Sequence, residues 1–527
     1  MTSAHSPFTH RQILIIFTGL MAGLFLAALD QTIVATALPT IVGELGGLDY
    51  YSWVVTAYLL SSTVCTPLYG KLSDIYGRRV TFQAAIGIFL LGSLLAGVAP
   101  GMLELVLFRG IQGLGAGGVM ALTFAVVGDI VSPRQRGRYI GYLAATWAFA
   151  SVIGPLIGGL IVDTTTWRWV FLINIPVGVA ALAIISSVLR LPVVHRTSPI
   201  DIGGAGLLVG GIGLLLLALV WGGTEYPWGS PVIVTLATAG VVVTAGLLWW
   251  ETRVPEPLLP LRLFRNRIFS IGSALGFLIG FALFGGVVFL PLFLQVVNGV
   301  SATDSGLLVL PLTAGIVVGS VGSGRLTTST GRYKIYPIVG SALAAVGMYL
   351  LSGMVAETAR VTSSLYMVVL GLGVGMVLQV SLLAVQNAVE HTDLGVATSS
   401  AQFFRSLGGS FGVAIFGAIM NARLLTELPL RVPTAVVGAM RGEVTDLLNS
   451  PAAIRALPIE VAAGVVSAVE VALQAVFFWA TPIMVVAFVL SWLLREIPLR
   501  DTVGAPPPIE GIEEAQEYGR GTHIIGR

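Results

Sequence analysis

Three ionisable side chains of this sequence stand inside long apolar runs: Asp30, Arg109 and Arg405. A charge at membrane depth is expensive, so each marks a proton, ion or substrate path by default. Asp30 lies in the run Ile13–Leu38, roughly 12 Å from its far end, and Arg109 lies roughly 9 Å into the run Leu103–Val131, at 1.5 Å per residue. Successive runs alternate in direction, so both depths are measured from one face. They match, and a direct or water-bridged pair is expected. Asp30 is the carboxylate placed to take up and release a proton. The plainer alternative is that it only orders its own helix by hydrogen bonding. Arg405, in the run Thr398–Met420, has no partner within its own helix. A carbonyl-bonded structural role and a cavity role both stay open for it.

A second cluster of chemistry is the basic, glycine-punctuated link Gly70-Lys71-Leu72-Ser73-Asp74-Ile75-Tyr76-Gly77-Arg78-Arg79-Val80. It is echoed as Gly324-Arg325-Leu326-Thr327-Thr328-Ser329-Thr330-Gly331-Arg332-Tyr333-Lys334, with four of the eleven positions identical. Both copies end one apolar run and precede the next. Such a repeat implies two similar halves that face each other. Asp74 has no counterpart at Thr328, so any ion-pair latch built from this motif is one-sided.

The elements that must hold these residues are membrane helices. The chain has 527 residues, 55% hydrophobic and 10% charged, with a mean hydropathy of +0.91. Soluble domains carry about 25% charged residues. The net charge of +2 is no argument for nucleic acid, because the basic residues lie in links beside apolar runs. The single cysteine, Cys65, excludes an internal disulfide framework and a cysteine-based metal cluster. No cleavable leader precedes the first run, which is too long for one. A spanning helix needs about 20 apolar residues. Fourteen runs qualify: Ile13–Leu38, Ser52–Tyr69, Val80–Ala99, Leu103–Val131, Tyr139–Val162, Trp169–Leu189, Gly203–Trp221, Val232–Trp250, Ile268–Val297, Ser305–Arg325, Tyr336–Met354, Thr362–Val389, Thr398–Met420 and Leu473–Leu494. Backbone groups cannot stay unpaired in lipid, so all are read as helices. Most of the 28 Lys and Arg fall in alternate links, which places both termini in the cytoplasm.

The repeat offset divides the chain. A cytoplasmic N-terminus (1–11) precedes an N-terminal six-helix bundle (12–190). An inserted, glycine-rich pair of helices (200–252) follows, and then a C-terminal six-helix bundle (266–496). The external loop 421–472 interrupts that bundle and holds two helix-like patches, Gly442–Leu448 and Ile459–Leu473, expected to lie on the outer surface. The cytoplasmic tail 497–527, rich in proline and glutamate, is expected to be disordered.

Several of these stretches resemble the drug:proton antiporters with fourteen spanning helices, within the major facilitator superfamily. The residues that carry the resemblance are Leu29-Asp30-Gln31-Thr32-Ile33-Val34-Ala35-Thr36-Ala37-Leu38-Pro39, the Gly70–Val80 link, Leu107-Phe108-Arg109-Gly110-Ile111-Gln112-Gly113-Leu114-Gly115, Ala150-Ser151-Val152-Ile153-Gly154-Pro155-Leu156-Ile157-Gly158-Gly159, Trp167–Pro176 and Pro291-Leu292-Phe293-Leu294-Gln295. The resemblance covers about residues 12–496 and implies an all-α major facilitator fold with two added helices. It implies that Asp30 and Arg109 couple protons. It also implies a conformational latch from Gly70, Asp74, Gly77, Arg78 and Arg79 with Asp129 at the end of the fourth run. Gly154, Pro155, Gly158 and Gly159 match the helix-5 antiporter motif, associated with export. Ala150 stands where that pattern has its first glycine.

Gln31, Trp53, Tyr58, Gln112, Trp147, Gln295, Gln379, Phe403 and Arg405 are candidates to line a substrate cavity. For each one singly, helix packing is the plainer reading. No phosphate-cradling GxxxxGK[ST] is present, the five histidines are scattered, and no nucleophile triad can be assembled, so neither ATP hydrolysis, a metal site nor enzymatic chemistry is expected. The expectation is a secondary transporter without cofactor, driven by a proton gradient, in a bacterial cytoplasmic membrane. It exports amphipathic, lipophilic compounds, cationic or neutral, as a monomer. Export of an envelope lipid or an endogenous metabolite by the same mechanism is the alternative, with an envelope partner at loop 421–472. An uptake symporter and a non-transporting receptor are the remaining rivals.

Overall fold

A computed structural model describes residues 10–45, 51–131, 133–189, 201–223, 226–255, 257–300, 302–432, 454 and 457–499. Among these, helices account for nearly everything, and the one β contact is an isolated bridge between Gly222 and Tyr226. The helices are α1 (His10–Leu45), α2 (Tyr51–Tyr76), α3 (Arg78–Gly97), α4 (Met102–Ile130), α5 (Pro133–Thr164), α6 (Trp169–Leu172), α7 (Asn174–Val188), α8 (Ile202–Trp221), α9 (Pro231–Glu251), α10 (Arg267–Val296), α11 (Ala302–Leu308), α12 (Leu310–Thr330), α13 (Ile335–Ser352), α14 (Arg360–Ala388), α15 (Leu394–Arg431) and α16 (Ile459–Trp492).

Among the described residues, 12 helices are long and apolar enough to cross a membrane. The other two expected runs are helical as α2 and α8. α2 is diluted by Ser61, Ser62, Thr63 and Thr66, and the apolar part of α8, Gly203–Leu219, is short.

Three boundaries differ from the sequence reading. The sixth run breaks at Ile173, because Pro176 offers no amide hydrogen to continue the preceding turn. The segment 421–431 continues α15 rather than starting a loop. The patch Ile459–Leu473 is no separate surface helix but the first half of α16. Its acid Glu470 accepts a hydrogen bond from the Ala356 amide at 3.2 Å, which binds this half to the α13–α14 link. The patch Gly442–Leu448 and the tail from residue 500 lie outside the described residues.

Within the first bundle α4 is the axis, packed on α2 and α3, while α1 packs on α5 and α7. Glycine makes the α4 contacts possible. A Cβ at Gly113 would lie 2.9 Å from the Tyr58 Cα, and one at Gly115 2.7 Å from the Phe89 Cα. Small residues let helix backbones approach where lipid gives no hydrophobic drive. In the second bundle α14 packs on α12 and α13, and α10 packs on α15 and α16. The two bundles meet through α2 and α4 against α15, and through α5 against α12 and α14. The α8–α9 hairpin stands beside this seam, with α8 touching both α2 and α15. Its apolar face there joins Val64 of α2 to Leu208, Ile212 and Leu216 of α8 and Phe403 and Leu407 of α15.

The repeat is visible in the backbone. Gly77 (φ 88°) and Gly331 (φ 71°) occupy matching places in the two copies, each in a region that favours glycine.

Candidate functional site

The break between α6 and α7 brings Asn174 to the centre of the first bundle, where Asp30, Ser93, Arg109 and Gln112 also converge. Arg109 Nη1 lies 2.6 Å from Asp30 Oδ2 and donates to Gln112 Oε1 at 2.7 Å. Gln112 Nε2 donates to Asp30 Oδ1 at 2.8 Å and Asn174 Nδ2 donates to the same oxygen at 2.9 Å. Both amides also donate to Ser93 Oγ, at 3.1 and 3.0 Å, and that hydroxyl donates to the Phe171 carbonyl at 2.8 Å. Arg109 Nε donates to the Val54 carbonyl at 3.2 Å, and the guanidinium lies 4.1 Å from the Tyr58 ring centroid. Tyr58 in turn donates to the Ala27 carbonyl at 3.2 Å.

Asp30 is 0% exposed and Arg109 1%. A buried ion pair is held only if its remaining lone pairs and protons are satisfied. Here Arg109 holds one carboxylate oxygen while Gln112 and Asn174 hold the other, so α1, α4 and α7 are tied at one acidic side chain. Neutralising Asp30 removes the acceptor on which three donors converge. The arrangement is a charge-dependent clasp rather than an open binding surface.

The sequence pointed to Asp30 and Arg109, and the structure brings them together. It missed Asn174 and Ser93. Asn174 had a signal, a polar residue two positions before a proline in an apolar run. Ser93 had none.

The loop motif forms a second polar cluster. Arg78 Nη1 lies 2.6 Å from Asp74 Oδ1 and Arg78 Nε lies 2.7 Å from Asp129 Oδ2, so one guanidinium joins the ends of α2, α3 and α4. It also donates to Ser73, and Arg79 donates to the Ser186 carbonyl of α7. Burial raises the Asp74 carboxyl above the ordinary carboxylate range, and Arg78 pulls against that rise. The second bundle closes over the cluster. A Cβ at Gly395 of α15 would lie 2.6 Å from Arg78 Nη1, and a side chain at Gly70 would run into Ser399. Nearby, Gln386 Nε2 of α14 donates to the Phe124 carbonyl of α4 at 3.3 Å and to Thr398 Oγ1 of α15 at 3.1 Å. Arg136 of α5 donates to Gln386 Oε1 at 3.5 Å. The bundles are therefore sealed together at the end that carries the loop motif.

The second copy has a different partner. Glu496, beyond α16, accepts from the Tyr333 amide at 2.7 Å and the Lys334 amide at 3.3 Å. The Tyr333 hydroxyl donates to the Arg495 carbonyl at 2.9 Å. This copy is tied within its own bundle and makes no ion pair of the Arg78 kind among the described residues.

In α5, Gly154 packs against α1: a Cβ there would lie 3.3 Å from the Ile33 nitrogen. Thr32 donates to the Ala150 carbonyl at 3.2 Å, so the residue that departs from the glycine pattern takes part in this crossing through its backbone. Gly158 is buried, a Cβ at Gly159 would meet open space, and Pro155 lies within the helix.

The cavity candidates separate. Tyr58 and Gln112 belong to the Asp30 clasp. Gln31, one residue beyond the acid, is half-buried. Trp53 is turned to the inserted hairpin, edge-on to Trp221 with centroids 5.3 Å apart, and Phe403 is buried against α8. Gln295 donates to Ser305 at 2.8 Å and braces α10 against α11. Tyr58 and Gln112 are thus engaged in the clasp, Trp53 and Phe403 against the hairpin, and Gln295 in the α10–α11 brace. Trp147 is half-buried against Ala28, Leu29 and Ala150, and Gln379 is buried in α14. Arg405 is half-buried in α15, its guanidinium carbon 5.5 Å from the Phe124 ring centroid across the seam.

Two facing helical bundles, a sealed charge pair in one of them and a repeated loop motif define a multi-pass membrane transporter. The comparisons agree. The family model for the Major Facilitator Superfamily matches residues 20–413, and this chain belongs to that superfamily. The chain is 42% identical over 92% of its length to an uncharacterised MFS-type transporter of Mycobacterium tuberculosis, covering 70% of that protein. It is 37% identical to the multidrug transporter protein MdtP of Bacillus subtilis, covering 92% of this chain and 93% of that one. Among solved structures, the proton:xylose symporter XylE shares the fold, with a TM-score of 0.62, 14% identity, and coverage of 93% of this chain and 97% of that one.

Proposed function

We propose that the chain is a proton-coupled exporter of amphipathic, lipophilic compounds, working by alternating access in a bacterial cytoplasmic membrane with both termini inside. The loop-motif end is then the cytoplasmic one, and the seam described above is the outward-facing stage of the cycle. The observation that carries the coupling is the clasp. Asp30 is paired with Arg109, both its oxygens are engaged, and it is out of reach of solvent. Protonation would release Arg109, Gln112 and Asn174 together and loosen α1, α4 and α7 against each other. Binding energy and a proton would thus act on the same joint. The printed names of relatives, a multidrug transporter of Bacillus subtilis and efflux pumps of Gibberella and Fusarium, support the direction. Rocking of the two bundles around a central site is the mechanism such repeats support.

The test is accumulation of a fluorescent lipophilic probe in inverted membrane vesicles, wild type beside Asp30→Asn. Accumulation should collapse with a protonophore and in the variant. An Asp30→Asn protein that still concentrates the probe with normal proton dependence would remove Asp30 from the coupling role.

A second reading, export of an envelope lipid, has one structural support. A cavity of about 330 Å³ between α8, α9 and α15, lined by Leu215, Trp228, Ile233 and Phe411, is apolar enough for an acyl chain. Deletion of residues 433–453 separates the two readings, because drug efflux should survive it whereas delivery to an envelope partner should not.

A further inference from the structure

We propose that the seam between the two bundles selects amphipathic anions, carboxylates or sulfonates on a lipophilic body, and that Arg405 is the counter-charge that holds them. This rests on the export reading above and reverses the cationic half of the sequence expectation.

The argument begins with the face of α15 that looks across the seam. Thr398, Gln402 and Arg405 follow at i, i+4 and i+7 and share one face of that helix. The position of that face is fixed at two points. Thr398 is bonded through Gln386 to the Phe124 carbonyl of α4, and Arg405 stands over the Phe124 ring. The stripe therefore points between the bundles, at α4 and α14. From behind, α10 supports it: a Cβ at Gly276 would lie 3.9 Å from the Arg405 Cβ.

Along this stripe the donors lack acceptors. Among the described residues, Arg405 has the Phe124 ring as its contact and no carboxylate or hydrogen-bond acceptor. Gln402 is 3% exposed, and its amide nitrogen has no acceptor. Arg136, bonded to Gln386, adds a second cation at the closed end of the same space. A half-buried cation at membrane depth without an anion is costly, and an incoming anion would relieve that cost.

Among the described residues no carboxylate stands on this stripe to receive a cation; the buried acids Asp201 and Glu251, each with an unpartnered oxygen, lie at the ends of the α8–α9 hairpin. Asp30 has both oxygens engaged and is fully covered. Asp74 and Asp129 are both joined to Arg78 at the loop-motif end of their helices. Phe124 completes the site on the apolar side, placing a ring beside the guanidinium where the lipophilic body would lie.

The experiment uses the purified full chain and three fluorescent probes of one shape: a dansylamino fatty acid, its methyl ester and the matching dansyl alkylammonium. A charge-assisted pair should make wild type bind the acid about tenfold or more tightly than the ester. The ammonium should bind weakest. Arg405→Gln should bring the acid down to the ester's affinity while the ester stays unchanged, and Arg405→Lys should restore most of the preference. Equal or tighter binding of the ammonium by wild type overturns the proposal, and so does an Arg405→Gln protein that keeps its preference for the acid. The wild-type comparison and Arg405→Lys stand even if Arg405→Gln folds poorly. The same probes in energised vesicles separate the two failures. Movement of the ester or the ammonium but not the acid leaves export intact and sinks the anion assignment. Movement of none of them counts against export itself.

Discussion

At the scale of single residues, Asp30 and Arg109 depend on each other unequally with their neighbours. Removing Arg109 leaves a buried carboxylate with only amide donors, whereas removing both charges leaves none. Breaking one side of a buried pair costs about 3–5 kcal/mol. Arg109→Gln should therefore lower the thermal unfolding midpoint in detergent clearly, and Asp30→Asn in the same chain should recover much of that loss. Additive losses would show that the pair is not coupled. Asn174→Ala should reduce proton-driven transport several-fold while leaving expression near normal, because one donor of about 1–3 kcal/mol is lost from the clasp. Of this site the sequence made the charges legible, since a charge in an apolar run stands out whatever its surroundings. The neutral members were not: Ser93 and Asn174 are ordinary in membrane helices, and only the helix faces decide whom they meet. Gln112 shows the same limit, named from its sequence for a cavity and found holding Asp30.

At the scale of elements, the two loop copies are built alike and held differently. Asp74, Arg78 and Asp129 join three helices of one bundle, and Gly395 of the other lies directly over them. Gly395→Val should pry α15 from this cluster. In a Cys65→Ser background, a cysteine at Gln402 should then react several-fold faster with an impermeant thiol reagent added from the side of the loop motif. An unchanged rate would mean that the cluster does not seal the seam. Glu496→Ala should cost about 1–2 kcal/mol of stability, the value of the hydrogen bonds it accepts, with transport retained. The missing acid at Thr328 was readable from the sequence. Its replacement by Glu496 was not, because that residue comes more than one hundred and fifty positions later and only tertiary packing brings it near. Helix ends were misread for a related reason. α15 and α16 run past the apolar core, and hydropathy alone cannot see turns that are stabilised by contacts such as Glu470 with Ala356.

At the scale of the whole molecule, the two bundles and the inserted pair followed from composition and the repeat, while the place of the pair did not. α8 carries no charge at depth, so nothing in its sequence says which helices it adjoins. In the structure it touches α2 on one side and α15 on the other, at the seam where the bundles must part. A cross-link from α2 to α8, at Trp53 and Trp221, should be tolerated alone, as should one from α8 to α15 near Leu216 and Leu407. Both together should stop transport, and reversal of either should restore it. Arrest by one cross-link alone would make α8 a fixed part of one bundle.

The bond between Glu496 and the second loop copy also bears on how the chain is made. Domains generally form in the order in which the ribosome releases them. Arg78 can meet Asp74 and Asp129 as soon as α4 has emerged, so the first bundle's cluster is complete early. The second copy must wait for almost the last described residues before its amides at Tyr333 and Lys334 find their acceptor. The order of release thus favours the half that holds the Asp30 clasp, while the loop copy in the half that holds Arg405 is secured only after α16 has emerged.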